Sequence, residues 1–583
     1  MAIGFPRPRP APRDADVPPL NPARPAGDRC DLVVVGAGAA GMTTALLAAL
    51  HGLKVTLLEA SDQVGGTTAT SAGTLWIPGS SQGARAGHRD ELDSARSYLD
   101  ALVGPFDPRG LRAAYLATAA EAIDFLEANT AVAFRSSGVH PDYLELPGAA
   151  MAGRAISPLE FDGRKLGRDF RRLRAPMRSF MVLGGMMVGK ADIGALLGRF
   201  RSGTHFLHAA RLVGRYALDR LRGYPRGTRL VMGNALIARL LYSLKKAGVT
   251  VVYEARCESL VVDAGRVVGI RVIERDAATP QVIDARAGVV LCAGGVGHHA
   301  GLRQAFGSDA LRSRSLAFEG NRGDGLQAAL AAGAALTRSD PDFLWQPVSM
   351  VPDDGGGTSL YPHLFLDRAK PGLLAIDRAG RRFVNEGASY HHFVEGMRSA
   401  PEATPAFLVC NAAFVKRYGL GAIHPGTTDL APWVKRGYVA VGDSLDDLAA
   451  HLGIEPAGLR ASVAQMNEAA SRGSDTLFAK GGTAVSRFNG DPDQSPNPCL
   501  APLQGGPYVG LKVWPGEAAN SSGLATTADG EVLDEQGRVI AGLHACGNDM
   551  ASIWRGSYPG PGATLGPAMV FAYRLVRAIV AAR

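Results

Sequence analysis

The chain has 583 residues, 46% hydrophobic and 20% charged, which suits a globular protein of two or more domains. Its formal charge of +8 is spread along the sequence rather than gathered in a dense basic block, which argues against a nucleic-acid partner. Six scattered cysteines, Cys30, Cys257, Cys292, Cys410, Cys499 and Cys546, form no Cys-x-x-Cys pair, so no metal site and no disulfide scaffold is expected, and a reducing, cytoplasmic setting is.

Residues 1–29 are rich in Pro, Arg and Asp and lack an apolar core, so they read as a disordered tail rather than a signal peptide. Asp31–Val35 then reads as a strand, Gly36-Ala-Gly38-Ala39-Ala40-Gly41 as a tight turn and Met42–Leu50 as a helix. A second strand, Lys54–Leu58, ends at the acid Glu59. This strand–turn–helix–strand–acid order fits a dinucleotide: glycines let the pyrophosphate approach the helix end, and the acid takes ribose hydroxyls. A hydroxyl-rich loop of small residues, Gly65 to Gly73, follows almost at once.

Residues 85–130 read as helical, with Leu92, Tyr98, Leu99 and Leu102 spaced for one face. The turn-rich stretch Ser136–Gly148 carries Tyr143, which by itself reads first as a packing residue. Met177–Gly189 is apolar but too short to span a bilayer. The stretch after it sets Arg199, Arg201, Arg211, Arg215, Arg220 and Arg222 among Leu, Phe, His and Tyr. The first reading of 175–222 is a helical insertion with solvated arginines. The sharper one is a basic amphipathic cap that touches anionic membrane.

Strands and helices then alternate again. Gly233 opens a helix, Val249–Tyr253 is a strand, Gly265–Ile273 suggests a hairpin, and a strand from Gly288 ends at Ala293-Gly294-Gly295. Asn321–Gly325 opens a helix expected over Gln327–Leu336. From about 340 to 504 aromatic and polar residues increase, among them Trp345, Tyr361, His363, Phe365, Tyr390, His391, His392 and Phe393. There Asp377–Gly380 predicts a turn whose second strand leads Asn385–Tyr390 towards the cofactor. Pro507–Gly516 reads as a strand returning to the first domain, and Gly537–Ala545 leads to Gly547-Asn548. Last comes Tyr558-Pro-Gly-Pro-Gly562-Ala-Thr564-Leu565, a stiff loop feeding a helix whose end suits negative charge.

Gly36–Gly41, Gly65–Gly73 with Trp76-Ile-Pro78, Asn385–Tyr390 and Ser557–Thr564 together resemble the FAD-dependent 3-ketosteroid dehydrogenases, relatives of the fumarate reductase flavoproteins. The resemblance implies an α/β fold: a Rossmann-like FAD domain of two dinucleotide-binding halves, with an inserted α+β catalytic domain. The expected parts are 30–340 and 505–583 for FAD, and 341–504 for substrate. It implies FAD contacts at Gly36, Gly38, Ala39, Ala40, Gly41, Glu59, Ala60, Gly66, Thr67, Thr68, Ser71, Ala72, Gly73, Ala293, Gly294, Gly547, Asn548, Thr564 and Leu565. Tyr558 and the Gly562 amide are expected to polarise a C3 ketone, Tyr390 to take a proton from C2, and Tyr143 to support it. The implied partners are a lipophilic steroid ketone and an external electron acceptor of quinone type or an artificial dye. The sister C4–C5 reaction, an enoate- or fumarate-type reductase and a flavin protein without turnover are the alternatives. His424-Pro-Gly is similar to a segment of the fumarate branch but reads as a loop.

Overall fold

The computed structural model describes residues 29–198, 202–275, 277, 279–307, 313–353, 355–364 and 367–583. Arg199, Arg201, Phe365 and the tail before Arg29 lie outside the described residues.

The first sheet is built from short apolar strands. Thr250–Val252, Val55–Leu58, Cys30–Val35 and Gln281–Leu291 lie side by side and parallel. Val33, Val34, Leu57, Val289 and Val290 are wholly buried, as a parallel sheet covered on both faces requires. Gln281–Leu291 forks. Its first half pairs antiparallel with Arg266–Glu274, which forms the expected hairpin with Ala255–Asp263. Its second half pairs parallel with Val539–Ala545. The helices Ala39–Leu50 and Leu565–Ala581 pack on each other.

The second sheet is centred on Tyr508–Asn520, flanked by Phe343–Pro352 and Ala406–Asn411. This corrects the expected return of the chain at 505: Pro507–Gly516 falls in a strand, but in this sheet. Tyr508–Asn520 pairs antiparallel with both neighbours and is buried along most of its length, with Val509, Leu511 and Val513 in the core and Lys512 exposed. The chain rejoins the first sheet only at Glu531–Leu533.

Three local expectations also change. The helix expected over 327–336 is Asp324–Ala331; Gly333 turns at φ +87°, and Leu336 pairs with Leu524 instead. The helical region at 85–130 is two helices, Leu92–Val103 and Leu111–Asn129, separated by Gly104 and Gly110 at positive φ. Tyr98 and Leu99 are buried on it, whereas Leu92 is exposed. The Asp377–Gly380 turn closes with a 3.0 Å bond from Gly380 N–H to the Asp377 carbonyl, but its second strand shrinks to one bridge between Ile376 and Arg382. Arg382 instead points inward to buried carboxylates, 2.8 Å from Glu386 and 2.8 Å from Asp475.

In the 175–222 region, Met181–Val182 pairs with Met186–Met187, and helices Lys190–Leu197 and Gly203–Leu221 follow. No helix among the described residues is long and apolar enough to cross a membrane.

Candidate active site

The glycines of the first turn are there for want of space. At Gly36, φ is +98° and a Cβ would lie 2.4 Å from the Cys292 carbonyl oxygen; at Gly41 it would lie 1.8 Å from that of Gly36. Gly38 precedes the helix without a side-chain cap. The first-turn N–H groups of Ala40 and Gly41 are therefore placed to receive an anion. Glu59 is buried at the end of the second strand. One carboxylate oxygen accepts from Ala37 N–H at 3.0 Å; the other accepts from the N–H and Oγ of Ser61, both at 2.9 Å. Burial pushes its carboxyl up against those donors. Ala60 continues the same turn.

The hydroxyl loop is tied to its surroundings. Thr68 Oγ1 accepts from Ala39 N–H at 3.3 Å, and Thr67 Oγ1 accepts from Phe318 N–H at 2.9 Å and Asn321 Nδ2 at 3.2 Å. Ser71 Oγ donates to the Thr68 carbonyl at 2.8 Å and accepts from Gly73 N–H at 3.0 Å. Gly66 and Ala72 remain on the open side, and a Cβ at Gly66 would meet nothing within 4 Å. Across the sheet, Asp549 accepts from Ala293 N–H and Gly295 N–H. Burial pushes its carboxyl up to about 6 against those two bonds. Asn548 Nδ2 and Asn321 Nδ2 reach the Gly294 carbonyl at 3.4 and 2.9 Å. Gly547, Asn548 and Thr564 line one small cavity at the start of the C-terminal helix, with Leu565 its first residue. Tight glycines, an uncapped helix end and a buried acid at the ribose position fit a dinucleotide.

Beside this end stand three tyrosines. The rings of Tyr143, Tyr390 and Tyr558 lie 5.4, 5.6 and 5.4 Å apart, centroid to centroid. The Tyr143 hydroxyl donates to that of Tyr390 at 3.0 Å. Tyr390 and Thr564 lie near the Tyr558 hydroxyl and pull its phenol down against the larger effect of burial. Burial pushes all three phenols above the usual range. Tyr390 is the first residue of the helix Tyr390–Ser399, which Ser389 caps. The positive end of that helix thus lies at the base of the side chain.

The loops that carry these residues are locked together. Tyr143 N–H and Tyr98 OH both donate to the Pro559 carbonyl, at 3.0 and 2.6 Å. Asp142, next to Tyr143, accepts from Trp76 Nε1 at 2.7 Å and from Arg154 at 2.7 Å, and Arg154 also pairs with Asp90 at 2.9 Å. At Gly562, φ is +90° and a Cβ would lie 2.4 Å from the Thr74 carbonyl oxygen. Its carbonyl accepts from Trp76 N–H at 3.2 Å and Gly566 N–H at 3.0 Å, whereas its own N–H meets no protein acceptor among the described residues. His424 is exposed in a turn, as expected.

The chain as a whole is similar to known proteins. The family described as FAD binding domain matches residues 31–565. The chain is 37% identical over 560 residues to 4-oxocyclohex-2-ene-1-carboxylate 5-dehydrogenase of Sinomonas cyclohexanicum, covering 94% of this chain and 93% of that protein. It is 35% identical over 558 residues to 3-oxosteroid 1-dehydrogenase of Mycobacterium tuberculosis, covering 93% and 97%. The chain belongs to the FAD-dependent 3-ketosteroid dehydrogenase family. The solved 3-ketosteroid delta1-dehydrogenase of Sterolibacterium denitrificans, in complex with 1,4-androstadiene-3,17-dione, superposes on this flavoprotein with a TM-score of 0.87. The two are 33% identical, over 95% of this chain and all of that one.

Some residues of the flavoprotein's site were not legible in its sequence. Asp549 directly follows Gly547-Asn548 and Asn321 opens a Gly-Asp turn, so position offered a weak signal for both. Asp142, Arg154 and Tyr98 gave none, because their partners are distant in sequence. All six cysteines are buried and form no disulfide, with Cys292 and Cys546 Sγ 3.3 Å apart just past the ends of two paired strands.

Proposed function

We propose that the flavoprotein removes two hydrogens from neighbouring carbons beside a ring ketone, C1 and C2 of a 3-ketosteroid. The observation that carries this is the three-tyrosine cluster set against the Gly562 N–H. The Tyr558 hydroxyl and that N–H both donate to the ketone oxygen. Removing a proton beside the ketone builds enolate-like charge there, and each such donor contributes roughly 3 kcal/mol. Tyr390 takes the C2 proton, while the hydroxyl of Tyr143 donates to it and stabilises its phenolate form. Gly36, Gly38, Ala39, Ala40, Gly41, Glu59, Ala60, Gly66, Thr67, Thr68, Ser71, Ala72, Gly73, Ala293, Gly294, Gly547, Asn548, Thr564 and Leu565 hold FAD. Bound FAD supplies the acceptor for the C1 hydride.

The 37% identical relative is named for a one-ring keto acid, which makes a smaller ring ketone the second reading. Arg368, buried close to the cluster, directs its donors to backbone carbonyls rather than leaving them for a substrate carboxylate, which favours the uncharged steroid. The test is anaerobic bleaching of the purified yellow protein. Rapid bleaching by a 3-ketosteroid, with product unsaturated at C1–C2, supports the reading. Bleaching by 4-oxocyclohexane carboxylates alone replaces the substrate, and a C4–C5 product replaces the regiochemistry. Turnover then needs an external acceptor of quinone type, for which an artificial dye stands in.

The helix Gly203–Leu221 supports a membrane contact. It exposes Phe206, Leu207, Val213, Leu218 and Leu221, of which Leu207 at 69% and Leu221 at 84% are the most exposed, with Arg211, Arg220 and Arg222 at the margins. Apolar residues flanked by arginines suit an anionic bilayer surface that also dissolves a steroid. Flotation with anionic vesicles at low salt tests this; no binding removes it.

A further inference from the structure

The Tyr558 hydroxyl and the Gly562 N–H, the two donors proposed for the ketone oxygen, stand four residues apart on one loop. Both must meet a single oxygen, so the peptides between them have to be fixed. The loop's own residues work against that: Gly560 and Gly562 carry no side chain, and Gly562 sits at a φ of +90°. What grips the loop from outside therefore decides whether the two donors converge.

The loop's carbonyls show where it is gripped. That of Gly560 accepts from Ala563 N–H at 3.3 Å, and that of Gly562 from Trp76 N–H and Gly566 N–H. Two side chains also reach in. Trp554 Nε1 donates to the Ala563 carbonyl at 2.6 Å, and the Tyr98 hydroxyl donates to the Pro559 carbonyl at 2.6 Å. Trp554 fills a buried cluster, its ring 5.5 Å from Trp76 and 5.4 Å from Tyr115, so replacing it would open the core. Tyr98 holds the other end, at the peptide directly after Tyr558, through one oxygen atom.

The Tyr98 bond joins parts of the chain 461 positions apart. Tyr98 lies on the helix Leu92–Val103, of which only Ala95, Tyr98 and Leu99 are buried. The Pro559 carbonyl accepts from Tyr143 N–H as well, so a single oxygen ties this helix to the loops of Tyr143 and Tyr558. The helix is also seated closely on the Tyr143 loop: a Cβ at Gly148 would lie 2.0 Å from the Ser94 carbonyl oxygen and 2.9 Å from the Tyr98 nitrogen. Burial pushes the Tyr98 phenol above its usual range, which keeps it a donor.

We propose that Tyr98 is a positioning residue of the reaction: its bond to the Pro559 carbonyl fixes the peptide beside Tyr558 and so aims the Tyr558 hydroxyl at the ketone oxygen that the Gly562 N–H also meets. The inference rests on Tyr558 being a ketone donor. A buried tyrosine needs an acceptor on structural grounds alone, so a loss of stability does not separate the two roles. Coupling to the Tyr558 hydroxyl does.

Tyr98→Phe keeps the ring and removes the hydroxyl, while the Pro559 carbonyl retains the Tyr143 N–H. Anaerobic flavin bleaching by a 3-ketosteroid gives kcat and KM for Tyr98→Phe, Tyr558→Phe and the double variant, each loaded with FAD. In Tyr98→Phe, kcat falls about ten-fold and KM stays within about two-fold, because a displaced donor costs rate rather than steroid binding. In the Tyr558→Phe background the same change costs at most about two-fold, since the hydroxyl to be aimed is gone. An unchanged kcat in Tyr98→Phe, or an equal loss in both backgrounds, overturns the proposal. If Tyr98→Phe does not load FAD, Tyr98→His, with a ring N–H in place of the hydroxyl, goes through the same cycle. If that variant also lacks FAD, the hydroxyl serves the scaffold as a whole and the proposal is overturned. The two readings fail separately. A parental kcat in Tyr558→Phe removes the donor assignment, whereas a loss there that Tyr98→Phe multiplies in full removes only the role of Tyr98.

Discussion

Tyr143 and Tyr390, 247 positions apart in sequence, meet hydroxyl to hydroxyl at 3.0 Å, with Tyr143 as donor. A phenol that donates to its neighbour stabilises the neighbour's ionised form, so each of the two can support the other as base, and substitution separates the roles.

With Tyr390 as the base, Tyr390→Phe is expected to retain FAD and lose about three orders of magnitude in kcat, within the usual range for removing a general base. Tyr143→Phe is expected to lose only about ten-fold to a hundred-fold, since it removes one supporting bond. Stopped-flow bleaching of the flavin at saturating steroid checks both. Equal losses would contradict the division of roles.

Tyr558→Phe removes a donor to the developing oxyanion and is expected to lower kcat about a hundred-fold or more while leaving FAD binding intact. Gly562→Ala should fail differently. Its Cβ would lie 2.4 Å from the Thr74 carbonyl at a φ of +90°, so the loop must move. Reduced thermal stability together with lost turnover is expected in the Ala variant, and turnover alone is lost in Phe.

Glu59→Gln tests the cofactor end. Both carboxylate oxygens accept N–H or O–H donors, so an amide places an NH2 against a donor. The expected outcome is a largely colourless protein that regains flavin only at high added FAD. Absorbance at the flavin band after gel filtration reads it.

Asp142→Ala is expected to destabilise the fold by about 3–5 kcal/mol, because Arg154 loses one of its two buried partners. Trp76 Nε1 loses its acceptor as well. Urea unfolding of the two proteins measures the difference.

Asp367 gives the acid side of the stability profile. Burial pushes its carboxyl up, but His363, Arg368 and Gly421 N–H outweigh this and hold it at about 2, against an ordinary 3.8. The folded carboxyl gives up its proton at lower pH than the unfolded one. Its stabilisation is thus complete above about pH 4 and is lost as pH falls to about 2, in all roughly 2 kcal/mol. Asp367→Asn should be less stable at neutral pH and lose less across that window, as denaturant midpoints at pH 2 to 5 would show.

The sequence by itself determined the chemistry of the cofactor end. Gly36, Gly41 and Glu59 are local: the turn, the helix and the acid lie within one strand–helix–strand unit, and only glycine fits the contacts that Gly36 and Gly41 make. The Tyr558–Thr564 loop was legible for a similar reason, since alternating Pro and Gly dictate a stiff backbone before a helix. The sheet to which Tyr508–Asn520 belongs was not legible, because strand character says nothing about which neighbour a strand pairs with. The meeting of Tyr143, Tyr390 and Tyr558, each from a separate part of the chain, was implied by the family resemblance and by no local pattern of the residues. Only the tertiary structure decided that, through the Pro559 carbonyl that binds Tyr143 and Tyr98, the Arg154–Asp142 pair behind them, and the carbonyls of Glu386 and Ala388 that Arg368 holds ahead of Tyr390. Contacts between distant segments follow from packing, and no local pattern encodes them.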